Sequence, residues 1–301
     1  MILGSRRRHS WLVTWAVVAL IWNIRRPTQC GRQAVSSCGL PQSANAEGRY
    51  DIRRGAAGYA PIIGALGALA VPAIVVLFPV HGHVSAPLVT LAAGFLIVAM
   101  IASITGSIGL AGIGAEQDST ANLVPAAMYL AVAVSVSLVA MLAAFEVLAA
   151  IYLPGSKKLF AVIAGAAGLG GTFFTALGIS DSWHTGPADP GEKGSWQKTQ
   201  WIKSPEQADR KTVEVVVMSA VPAVSGIGLR IADVHYTPLT ASVATWLVLG
   251  AFALAIGAVG RGMFRTRHPL NGIQQGLRRR EAYGTTMVIG LYTLVIMFFL
   301  P

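Results

Sequence analysis

RGMFRTRHPLNGIQQGLRRRE, residues 261–281, carries six arginines and lies between two long apolar runs, 241–260 and 283–300. Short Lys/Arg-rich loops beside membrane spans stay on the cytoplasmic side, so this stretch orients the other apolar runs. The composition of the chain agrees with that reading. Of 301 residues, 54% are hydrophobic and 12% charged, about half the charged share of a soluble domain. The expected fold is an all-α polytopic transmembrane bundle. Its 33 glycines suit helices that approach closely in lipid. The net charge of +10 sits in loops beside apolar runs, where topogenesis and anionic lipid head groups account for it; no nucleic-acid partner is implied.

The N-terminal 57 residues differ from the rest. Arg6, Arg7 and Arg8 precede the apolar stretch 11–22, WLVTWAVVALIW. That stretch is shorter than the ~20 residues a span requires. No small-residue cleavage site follows it, so an interfacial helix or a tail without a selected role is expected in preference to a cleaved signal. Residues 23–57 are polar and basic and cannot build a core. Cys30 and Cys38 both lie there, with no His at metal spacing.

Residues 58–301 form the expected transmembrane domain, with spans at about 59–79, 87–112, 122–153, 159–179, 212–230, 241–260 and 283–300. Ser103, Thr105, Gly106, Ser107 and Gly109 mark a helix-packing face at the far end of the second span. In the fourth, AGAAGLGG (164–171) places Ala164/Gly168 and Ala167/Gly171 at small-xxx-small spacing. No preceding strand and no following Lys-Ser/Thr support a nucleotide loop there, so it reads as another packing face. The loop 180–211 is Pro/Gly-rich with Trp183, Trp196 and Trp201; Trp favours the headgroup zone.

Residues 212–230 are ambiguous. TVEVVV is β-branched, and the following stretch contains Pro222 and two glycines, which leaves a re-entrant segment open. Charge counting favours a span. With seven spans, an inner N-terminus and an outer C-terminus, seventeen Lys/Arg from residue 23 onward face the cytoplasm and three (Lys157, Lys158, Arg230) face outward. If 212–230 does not span and 11–22 does, the counts become eleven and twelve, and the bias disappears.

In the seven-span topology the outer side gathers most of the polar candidates. His81 and His83 form an H-x-H, Asp233 and His235 a D-x-H, and Glu146 lies in the outer half of the third span. Imidazoles with a carboxylate suit a divalent metal, and an acidic residue within a span is a functional candidate. These five residues are the candidates for binding an ion or substrate, or a metal; no other cofactor is evident. Interfacial water or Lys157 and Lys158 are the alternative partners of Glu146. On the inner side, Arg261, Arg265, Arg267, Arg278, Arg279 and Arg280 are candidates for contact with anionic lipid or with a partner.

No head-group transferase, desaturase, prenyltransferase, H-E-x-x-H or Walker motif is present in the sequence. Pro72, Pro125 and Pro222 interrupt apolar runs, and small-residue faces accompany them. The leading expectation is a small permease-like protein that moves a small solute or ion across a cell membrane, of the bacterial inner-membrane type. The alternatives are a non-catalytic accessory or scaffold subunit, with a membrane-protein partner or a second copy, and a metal-dependent membrane enzyme with an outward-facing site.

Overall fold

A computed structural model describes residues 52–77, 86–116, 123–153, 155, 157–184, 205–232, 240–267 and 278–300. They form seven α-helices: α1 Ile52–Leu77, α2 Ala86–Ala115, α3 Leu123–Tyr152, α4 Lys157–His184, α5 Pro205–Ile231, α6 Ala241–Arg267 and α7 Arg279–Phe299. Each is long and apolar enough to cross a membrane, and no strand occurs among the described residues. The chain is a multi-pass integral membrane protein. The segment 11–22 and both cysteines lie outside the described residues.

Residues 212–230 belong to one continuous helix, α5, that starts at Pro205. Proline suits a first helical position, because its fixed φ is helical and its missing N–H would have no partner there. Within lipid the β-branched TVEVVV stretch must satisfy its backbone internally, and a helix does so. Pro222 inside α5 withdraws one N–H from the helix ladder. Alongside it Gly290 of α7 lies so close that an added Cβ would collide with the Ser219 carbonyl oxygen.

Most helices run past their apolar cores. α1 begins seven residues before Tyr59, and α6 continues seven residues beyond Gly260. Packing explains both extensions. Ala56 is buried and Ala57 touches Gly114 of α2, while Gly262 lies against Ala126 of α3.

α3 is the axis of the bundle, with nineteen buried residues spread along its length. On one side of it α1 packs on α2 and α2 on α6; on the other, α4, α5 and α7 pack on one another. α3 touches members of both groups, and no helix of one group packs along a helix of the other. Direct contacts between the groups include the edge-to-face pair Tyr59–Phe174, with centroids 5.5 Å apart, and the ion pair Arg265–Glu281. Both lie at the end of the bundle where α1, α3 and α7 begin, called here the basic end.

Several serine and threonine hydroxyls inside the bundle are hydrogen-bonded, some across helices and some within their own. Ser103 and Ser137 bond each other at 2.6 Å, and Ser107 donates to the Ala60 carbonyl at 2.7 Å. The face 103–109 of α2 thus joins both α1 and α3. Thr285, Thr286 and Thr293 bond back to carbonyls one turn earlier, which avoids an orphan hydroxyl in an apolar interior.

Candidate functional site

Among the described residues, three constellations of charged side chains lie between helices. At the basic end, Arg265 near the close of α6 is 1% exposed. Its Nε donates to Glu281 Oε1 at 3.2 Å and its Nη2 reaches Oε2 at 3.5 Å. Glu281 lies in the first turn of α7 and also accepts the Arg278 backbone N–H at 3.1 Å. One carboxylate thereby caps α7, complements its dipole and ties α6 to α7.

Below this pair the two helices part. A cleft of about 290 Å³ opens between them, with α3 as its floor. Tyr129, Arg261, Arg280 and Glu281 stand around its mouth; Val132, Ala253, Leu254 and Val288 line it deeper in. Gly257 and Gly284 also line it, and a Cβ added to either would meet no atom within 4 Å. Missing side chains therefore help to keep the cleft open. Arg261 and Arg280 are exposed and form no ion pair among the described residues. Arg261 stacks over Phe264 at 5.7 Å, and the Tyr129 hydroxyl lies beside its guanidinium.

On the next flank Glu214 of α5 accepts the Tyr283 hydroxyl at 2.6 Å and pairs with Lys211. Arg279 lies over the Tyr283 ring at 5.6 Å. This group joins α5 to α7 at the same end of the bundle.

At the opposite end Glu146 of α3 is fully buried and pairs with Arg230 of α5 at 2.9 Å. Arg230 also donates to the Leu300 carbonyl at 2.9 Å. Three chain segments are thus held through one guanidinium. Arg230 is thus a partner of Glu146 that the expectation of interfacial water, Lys157 or Lys158 did not include. Glu146 does not line the α6–α7 cleft.

His81, His83, Asp233 and His235 lie outside the described residues, as does the side chain of Arg267. Among the described residues no three His, Cys, Asp or Glu side chains gather closely enough to hold a metal. Of the arginines expected to meet lipid or a partner, Arg261 and Arg280 rim the cleft and Arg279 stacks on Tyr283. Arg265 is instead withdrawn into an ion pair.

Sequence reasoning did not single out Arg230, Glu281 or Glu214. One signal for Arg230 was available: a lone carboxylate within an apolar run requires a cation at similar depth. Glu281, three residues after Arg278, carried the acidic half of a helix-start pattern. Comparisons with protein-family models, curated proteins and solved structures found no match to this chain.

Proposed function

We propose that this membrane protein is permease-like and moves a small solute or ion along the cleft between α6 and α7. The observation that carries the reading is the division of the bundle about α3. Two groups of three helices share that one axis, and at the cleft the Arg265–Glu281 pair joins them at the basic end. Such an arrangement suits a gate: the pair holds α6 and α7 together at one end of the cleft, and its loss would let them part. The reading takes the basic end as cytoplasmic, from the seventeen-to-three bias of Lys and Arg.

The test uses proteoliposomes loaded with a panel of inorganic cations, inorganic anions and small organic acids. Flux of at least one member above that of protein-free vesicles, altered by Glu281→Gln, is expected. A parallel variant set carries Ala258→Cys in a background without Cys30 and Cys38. A membrane-impermeant thiol reagent should label it faster when Glu281 is Gln. No flux for any member of the panel, with unchanged labelling, overturns the reading.

An accessory-subunit role is favoured by one observation. Glu146, a fully buried carboxylate, is engaged by Arg230 of another helix. Stoichiometric co-purification of one membrane partner in mild detergent, together with absence of flux, would select that role.

A further inference from the structure

We infer that the α6–α7 cleft is a binding site for an anionic phospholipid, with the phosphodiester between Arg261 and Arg280 and one acyl chain in the cleft. The mouth and the depth of the cleft differ in chemistry. At the mouth two exposed arginines approach from different helices, and neither has a carboxylate partner among the described residues. The carboxylate nearby, Glu281, is already engaged by Arg265 and by the Arg278 backbone N–H. Among the described residues, the mouth therefore presents cationic charge that no neighbouring carboxylate pairs with. Guanidinium groups bind phosphate oxygens through paired N–H donors, which suits a phosphodiester better than a diffuse negative surface.

The depth is apolar. From Arg261 to Ala253 the wall of α6 descends eight residues, about 12 Å along a helix. Val132, Leu254 and Val288 line this part, and Gly257 and Gly284 leave room beside them. A slender hydrocarbon chain fits a slot of about 290 Å³. A packed helix from a partner is about 10 Å across, and a 12 Å length of it would need several times that volume. Arg261 and Arg280 also sit where the apolar segments of α6 and α7 give way to charge, which is the depth of lipid phosphates. Basic pockets between helices at this level are suited to acidic head groups. A zwitterionic lipid would add a choline cation beside two arginines and gain less.

The inference concerns the same cleft as the transport reading but requires no movement of solute. Its test is a binding measurement, so an empty flux panel leaves it standing. The purified full chain in mild detergent is titrated with phosphatidylglycerol, phosphatidylcholine or soluble glycerophosphate, and retained molecules are counted by native mass spectrometry. Phosphatidylglycerol should be retained at least about tenfold more tightly than phosphatidylcholine, and glycerophosphate should not be retained. Arg261→Gln with Arg280→Gln should abolish the preference, whereas Lys at both positions should keep part of it. Gly284→Leu leaves both arginines in place but fills the slot; it should weaken retention of the diacyl lipid about as much as the double Gln variant does. Both changes lie at exposed positions, and an unchanged elution volume and helical circular dichroism establish folding. Equal retention of the two lipids, indifference to the Arg changes, or full retention by Gly284→Leu would each overturn the proposal. The last result would place the lipid on the outer surface of the bundle.

Discussion

Arg230 and Glu146 belong to different helices and are almost completely enclosed. Two charges taken from water gain little net stability from each other, but either one alone is costly. Arg230→Met should therefore destabilise the protein by about 3–5 kcal/mol, read as a lower unfolding midpoint in detergent. The double variant Glu146→Leu/Arg230→Met should recover most of that loss; a double variant as unstable as the single one would contradict the pairing. Tyr292 offers the opposite case. Its hydroxyl is buried and has no hydrogen-bond partner among the described residues. Removing an unsatisfied polar group is neutral or favourable, so Tyr292→Phe should leave stability unchanged or raise it by up to about 1 kcal/mol. A marked fall in the midpoint would show that the hydroxyl has a partner.

Among the helices, glycines with similar sequence surroundings have contrasting roles. A Cβ on Gly168 would collide with Thr293, and one on Gly290 would strike the rigid backbone at Ser219. On Gly170 it would meet nothing within 4 Å. Gly290→Ala should accordingly cost about 1–3 kcal/mol through overpacking, whereas Gly170→Ala should stabilise α4 by up to about 1 kcal/mol. Unfolding midpoints of the two variants should move in opposite directions. The AGAAGLGG stretch announced a packing face, but its spacing did not say which partners it meets. Gly165 faces Ile227 of α5, and Gly171 faces Ser135 of α3. Small residues license close approach from several sides, and the neighbouring helices decide which sides are used.

For the molecule as a whole, α5 is the element on which topology turns. If it crosses the membrane, single cysteines at Ser195 and Thr237, in the loops before and after it, should label from opposite faces of intact vesicles. Labelling of both from one face would reverse the order of the helices that follow. In the transport reading, movement belongs where the two groups about α3 are joined least. The cleft side is joined by a buried ion pair and an exposed rim, while α1 packs on α2, α2 on α6, and α4, α5 and α7 on one another.

Seven apolar runs and the Arg-rich stretch 261–281 were sufficient to specify a helical membrane bundle, because lipid leaves the backbone no other way to satisfy its hydrogen bonds. The same stretch indicated that 212–230 belongs among the spans, since charge placement obeys a simple electrostatic rule of insertion. The tertiary structure decided what its arginines do. Arg265 turns inward to Glu281, Arg279 stacks on Tyr283, and Arg261 and Arg280 are left to rim a cleft. It also paired Glu146 with Arg230, eighty-four residues away in the chain. Such pairings depend on which helices lie side by side and at what rotation. Apolar runs of nearly uniform hydrophobicity do not encode that rotation locally; it emerges when small residues and buried charges find their partners.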